Sequence, residues 1–238
     1  MLNNPAQRIP PDTRLAYTPD YRYFANTRPE VAALLPARCT HVLEIGCGEG
    51  RFAAQMPQRQ SYWGVEPSAA AERARGVLDH VFQGTYEQVA GQLPDAHFDL
   101  IICNDVIEHM PDHDAFLQAL RRKLVPGALI VGSVPNVRYL PHLLEVLLQR
   151  DWRYRDEGIL DRTHLRFFTA ASLRRTLGQH DWQVEALAGL NCIIANSPLP
   201  GRLRWWGSLM LLQLVTLRDQ GDCRYLQHGF RARLSDLA

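Results

Sequence analysis

The order of strand-like and helix-like segments predicts an α/β fold, an open and mainly parallel sheet with helices on both faces. Three observations carry this. An apolar run, Val42 to Ile45, enters a turn with glycine at 46, 48 and 50, and a helix-compatible segment follows. Beyond it, strand-length apolar segments alternate with segments of helical period as far as Pro135. An acid, Glu66, ends the second apolar run about twenty residues after the turn, where a ribose partner belongs in such a sheet. A strand, a glycine turn and a helix N-terminus together make a nucleotide crevice.

The elements follow in order. Residues 1–20, rich in Pro, Asn and Asp, read as an arm. A short helix is expected over 28–35, with Thr27 as N-cap and Pro29 in its first turn. Strands are expected over 40–45, 61–65, 80–83 and 98–103, the last being the buried run Phe-Asp-Leu-Ile-Ile-Cys. Helices are expected over 50–56, 68–78 with Ser68 as cap, and 113–124, where apolar residues recur at 116, 117, 120 and 124. Pro126-Gly127 signals a turn before a strand over 128–134. Then come a helix over 139–148, a polar and aromatic connection over 158–169, a helix over 170–178 and a strand over 182–188. A long connection over 191–224 precedes a last strand near 225–234. The expected organisation is an arm and lid helix over 1–37 and a single domain over 38–238. Its inserts near 135–168 and 191–224 have the length of lids or substrate walls.

At 238 residues the chain can form one complete α/β domain. Lys and Arg number 26 against 25 Asp and Glu, a net charge of +1, which argues against a general nucleic-acid binder. The five cysteines (39, 47, 103, 192 and 223) are odd in number and form no C-x-x-C pair, so a reducing, cytoplasmic setting is expected. Met-Leu-Asn-Asn-Pro lacks the basic and apolar regions of a signal peptide. The most apolar tract, 209–217, is interrupted by Gln213 and is too short for a transmembrane span.

The glycine spacing narrows the ligand. A dinucleotide fingerprint would need glycine at 51, but that residue is arginine. Glu44, ahead of the turn, would repel a pyrophosphate and suit a cationic ligand. Glu44-Ile-Gly46-Cys47-Gly48-Glu-Gly50 resembles the first motif of the class I S-adenosylmethionine-dependent methyltransferases, acid-x-Gly-x-Gly-x-Gly, without a gap. The resemblance implies a Rossmann-like sheet of seven mainly parallel strands with an antiparallel C-terminal strand, and S-adenosyl-L-methionine as cofactor. Carried over residue by residue, it gives Glu66 and Pro67 to the ribose, Thr85 to the adenine in place of the usual aspartate, and Asn104 to the methionine part. Tyr23 and Phe24 resemble the aromatic pair that closes over the cofactor in many relatives; packing of the arm on the sheet explains them equally well.

Chemistry is expected at the carboxyl ends of the strands. Asn104-Asp-Val-Ile-Glu-His-Met110 and Leu160-Asp-Arg-Thr-His-Leu-Arg-Phe-Phe-Thr169 should meet there. On a helical turn Asp105, Glu108 and His109 share one face. With His164 they make two carboxylates and two imidazoles, a set suited to proton transfer or to a divalent ion. The pattern resembles Glu-x-x-Glu-His plus a distant His, through which ubiquinone-type O-methyltransferases and small-RNA 2′-O-methyltransferases bind Mg²⁺ or a similar ion. This chain has Asp105 in place of the first glutamate. A reading in which Glu108 and His109 only cap or support stays open.

Ser133-Val-Pro-Asn-Val-Arg138 and the block 158–169 resemble a bacterial methyltransferase subfamily often associated with O-antigen, capsule and other surface-glycan biosynthesis. The leading expectation is O-methylation of a hydroxyl on a sugar or small-molecule intermediate. N- or C-methylation, a quinone or phenol acceptor, and a catalytically silent cofactor-binding subunit remain alternatives. Arg202-Leu-Arg-Trp-Trp-Gly with the apolar tract after it reads as an acceptor wall, a peripheral membrane contact, or a helix packed on the sheet or on a second subunit.

Overall fold

The computed structural model describes residues 28–235. The arm, Thr27, Tyr23 and Phe24 therefore lie outside the described residues. The strands are β1 (His41–Ile45), β2 (Ser61–Glu66), β3 (His80–Gln83), β4 (Phe98–Asn104), β5 (Leu124–Pro135), β6 (Trp182–Cys192) and β7 (Tyr225–Leu234). They form one sheet in the order β3-β2-β1-β4-β5-β7-β6. Strands β1 to β5 run parallel, and β7 inserts antiparallel between β5 and β6. This is the predicted seven-stranded Rossmann-like sheet with its antiparallel C-terminal strand.

β4 is the centre of the sheet because its side chains feed two cores. Leu100 and Ile102 join Val42, Tyr62 and Val131 on one face, while Ile101 and Cys103 join Leu43, Phe116 and Leu117 on the other. Each such fully buried aliphatic side chain contributes about 1.5–3 kcal/mol. The helices are α1 (Pro29–Ala32), α2 (Ala71–Ala74), α3 (Tyr86–Val89), α4 (His113–Arg121), α5 (Leu140–Gln149), α6 (Ala170–Gly178), α7 (Ile193–Asn196) and α8 (Leu199–Thr216). α4 starts where the Asp112 carboxylate accepts from the Ala115 N–H at 2.9 Å, and it buries Phe116, Leu117 and Leu120. α6 starts with a reciprocal pair: Ser172 N–H donates to Thr169 Oγ1, and Thr169 N–H donates to Ser172 Oγ.

Several elements depart from expectation. The helix expected over 50–56 is a 3₁₀ turn, Arg51–Gln55, entered from Gly50 at φ 78°. The helix expected over 68–78 contracts to α2. Leu78 ends that arc by packing under Gly50 and Gly64, where added Cβ atoms would approach it to 2.9 and 2.6 Å. Pro126-Gly127 does not end an element but lies inside β5, at an irregularity where the β4 register shifts between Phe98 and Leu100. The connection expected over 191–224 starts with the last residues of β6 and is then mostly helical, as α7 and the 18-residue α8. No helix among the described residues is long and apolar enough to cross a membrane.

Candidate active site

The parallel strands deliver their carboxyl ends to one edge. After β1 the chain turns through Gly46, Gly48 and Gly50, at φ 73°, 54° and 78°. Position 46 requires glycine on two counts: its backbone is left-handed, and a Cβ would lie 2.9 Å from Val106 Cγ2. Cys47 is buried behind this turn. The Glu66 carboxylate, at the end of β2, ties the loops together. Gly48 N–H donates to Oε2 and Ser68 N–H donates to Oε1, both at 2.9 Å. Each oxygen keeps a further lone pair for a ligand hydroxyl. Pro67 follows on the surface, and Thr85 is exposed at the start of α3, its N–H held by Gln88 Oε1 at 2.9 Å.

The Glu44 carboxyl is 3% exposed and accepts the Tyr62 hydroxyl at 2.8 Å. Burial pushes its pKa up to about 8 despite that hydrogen bond and the nearby Arg28 charge. Held between burial and the Tyr62 hydroxyl, the carboxyl sits directly ahead of the glycine turn, at the end of β1.

At the end of β4, Asn104 is buried with neither amide atom hydrogen-bonded among the described residues. Orphaned buried amides are costly unless a ligand completes them. The next residue, Asp105, takes a left-handed backbone at φ 52°. Its carboxylate is engaged by Arg28 Nη1 (2.5 Å), Ser133 Oγ (2.7 Å) and Gln227 Nε2 (2.7 Å). Burial would raise its pKa, but the Arg28 charge and the hydrogen bonds from Arg28 and Ser133 outweigh it and hold it below the usual carboxylate range. The shared helical face expected for Asp105, Glu108 and His109 is corrected accordingly: only Ile107–His109 forms a turn, of 3₁₀ type.

Glu108, His109 and His164 do converge, with ligand atoms within 4.8 Å of one another. Segment 158–169 is docked onto the turn by Leu165 and Arg166 N–H groups, which both donate to the Glu108 carbonyl. The Glu108 carboxylate is fully buried with neither oxygen partnered among the described residues, and burial, then the Asp105 charge, pushes its pKa well up. His164 Nδ1 bonds to the Ile159 carbonyl at 2.9 Å. His109 Nδ1 bonds to Thr163 Oγ1 at 3.0 Å, and Thr163 Oγ1 in turn donates to Asp161 Oδ1 at 2.6 Å. We assign both rings the tautomer that leaves Nε2 with its lone pair, since each Nδ1 donates to an oxygen. The two rings stand edge to face, centroids 4.7 Å apart. Burial, then the neighbouring His164, lowers the His109 pKa.

Arg28, Gln227, Asp161 and Thr163 were not singled out in the sequence. Asp161 and Thr163 at least lie in the block that drew attention. Arg28 and Gln227 carry no local signal, because β7 brings Gln227 opposite Pro135 only through antiparallel pairing.

With this geometry in view, comparison with known proteins is informative. A family described as a methyltransferase domain matches residues 17–187. A ubiquinone biosynthesis O-methyltransferase of Pseudomonas aeruginosa is 33% identical over 114 residues, covering 44% of this chain and 49% of that protein. The chain thus spans about half the length of these relatives. A trans-aconitate 2-methyltransferase of Deinococcus radiodurans is 30% identical over 244 residues, covering 92% of this chain and 90% of that protein. Among solved structures, an S-adenosylmethionine-dependent methyltransferase of Archaeoglobus fulgidus superimposes with a TM-score of 0.60 at 19% identity, over 90% of this chain and all of that one.

Proposed function

The chain belongs to the methyltransferase-domain family, and from that premise we propose that it moves a methyl group from S-adenosyl-L-methionine to a hydroxyl oxygen of a small molecule. The observation that carries the choice of a hydroxyl is the pair of imidazoles, His109 and His164, held by their Nδ1 atoms and gathered with Glu108 so that their ligand atoms lie within 4.8 Å of one another. Such a base removes the hydroxyl proton as the oxygen attacks, an effect worth about 10²–10⁴-fold in rate.

The cofactor supplies an electrophilic methyl on a sulfonium. In this reading Glu66 accepts the ribose hydroxyls, Gly46, Gly48 and Gly50 give the backbone close approach, and the Asn104 amide meets the methionine part. Thr85 lies on the adenine side. Arg28 is the cation available for the methionine carboxylate, exchanging with Asp105. Residues 38–238 act as one catalytic domain, with the inserts near 135–168 and 191–224 walling the acceptor.

The unpartnered Glu108 oxygens and the two Nε2 atoms also fit a divalent cation, which would be held by Glu108, His109 and His164 and would lower the pKa of an acceptor hydroxyl. Two imidazoles and one carboxylate favour an imidazole-tolerant ion over Mg²⁺, which prefers oxygen ligands. Asp105 stands outside this set.

For the acceptor, the O-methyltransferase named for ubiquinone biosynthesis supports a phenol-like hydroxyl, whereas neither relative described above supports a glycan. The longer match favours a second reading, methylation of a carboxylate. The carboxylate of Asp161, bonded to Thr163 beside His109, weighs against that by disfavouring a second anion nearby. Turnover of labelled methyl donor against dihydroxyphenols, nucleotide sugars and tricarboxylates, with and without chelator, tests this. Phenol turnover is expected; turnover confined to carboxylates overturns the hydroxyl reading.

A further inference from the structure

Helix α8 is apolar on both sides, yet only one side is covered. Trp205, Leu209 and Leu212 pack with Leu140, Leu143 and Leu144 of α5 and with Cys223. The other side carries Leu199, Leu203, Trp206, Met210, Leu214 and, at the helix end, Leu217, each 48–86% exposed. A helix apolar all round is normally buried all round. This one is no membrane span.

The pattern of the exposed side points to another helix. Its residues step by four, three, four, four and three, close to the heptad seam of paired helices. With Leu211 and Val215 they expose on the order of 900 Å², comparable with the ~800 Å² each partner contributes to a standard interface. A lipid surface is the poorer match, because interfacial helices carry cations along their length. Here the charges within Leu199–Thr216 are Arg202 and Arg204, both near the N-terminus, with no acid in the helix. Residues 1–27 offer no matching apolar heptad in their proline-rich sequence.

We propose that α8 pairs antiparallel with α8 of a second copy of this chain, about a two-fold axis near Gly207. Charge selects the direction. Parallel pairing would gather four guanidinium groups at one end. Antiparallel pairing puts the two arginine pairs at opposite ends of the seam, where Arg202 keeps its bonds to the Ala195 and Ser197 carbonyls of its own chain. Asp219, just past the C-terminal end of the helix, offsets Arg218, and its Oδ1 holds Gln213 and the Gly221 N–H. Gly207 lies mid-seam, and a Cβ added there meets nothing within 4 Å.

Sedimentation velocity of the full chain tests this. The expected mass is twice 27.1 kDa at micromolar concentration. Leu203→Glu with Leu214→Glu should weaken association more than tenfold while leaving near-ultraviolet circular dichroism and S-adenosylhomocysteine affinity unchanged. Gly207→Cys should form an interchain disulfide on mild oxidation that the unsubstituted chain does not form. A monomer at all concentrations overturns the proposal. So does a dimer indifferent to the two glutamates, or a monomer that floats with phosphatidylglycerol vesicles.

Discussion

Arg28 and Asp105 meet at 2.5 Å across the crevice, and both hold left-handed backbones, at φ 43° and 52°. Each such backbone costs an L-residue about 1–2 kcal/mol. The ion pair is what repays that cost, since side-chain exposure is only 13% and 10%. Arg28→Met should therefore destabilise the chain by about 3 kcal/mol, because it strands a buried carboxylate. The pH dependence follows. In the native protein the depressed Asp105 pKa adds stability above the unfolded carboxyl range, and this is lost as pH falls through the folded value. Without Arg28, burial dominates and the sign reverses. The urea midpoint of the variant should thus lag the native one more at pH 8 than at pH 5.

Glu44 allows a second test. Since burial raises its pKa to about 8, its contribution to stability is full below the unfolded carboxyl value and is lost as pH rises toward and through 8. Glu44→Gln keeps a neutral hydrogen-bonding group beside Tyr62 and should flatten that pH dependence. Calorimetric affinity for S-adenosylhomocysteine at pH 7 should change less than about threefold, under ~0.7 kcal/mol. A loss beyond tenfold would instead support the anionic role that the sequence suggested.

Those two residues mark the limit of sequence reasoning here. The glycine turn, the position of Glu66 at the end of β2 and the mainly parallel sheet were legible because period, turn chemistry and βαβ handedness are local or nearly local rules. Glu108, His109 and His164 were legible as a group because two short blocks bear them. Asp105 was misjudged because a spacing rule presumes a helical turn, and one left-handed residue cancels it. The partner of Glu44 was not legible, because Tyr62 reaches it only through the pairing of β1 with β2. Arg28 and Gln227 reach the site from 77 and 122 residues away along the chain, and only the folded topology brings them there.

Glu108 should report metal binding directly. Its carboxylate oxygens have no partner among the described residues, so an added ion is a group that would satisfy them. Mn²⁺ or Zn²⁺ at about a hundred times its dissociation constant should add about 2.7 kcal/mol to stability. Glu108→Gln should abolish most of that shift in the thermal midpoint while leaving S-adenosylhomocysteine affinity in place. An equal shift in native and variant proteins would remove the ion from this pocket.

The two histidines divide binding from turnover. Neither ring is placed among the groups that line the glycine turn, so His109→Ala and His164→Ala should each lower kcat by about 10²–10⁴-fold with cofactor affinity nearly intact. Thr163→Val supplies the control that separates positioning from proton transfer. It removes the hydroxyl that links His109 Nδ1 to Asp161 while keeping the ring. A histidine freed to take either tautomer should still turn over, but more slowly than the native chain and faster than His109→Ala. Unchanged kcat in both alanine variants would leave proton removal to the acceptor's own acidity, with the chain serving only to hold nucleophile and sulfonium in line.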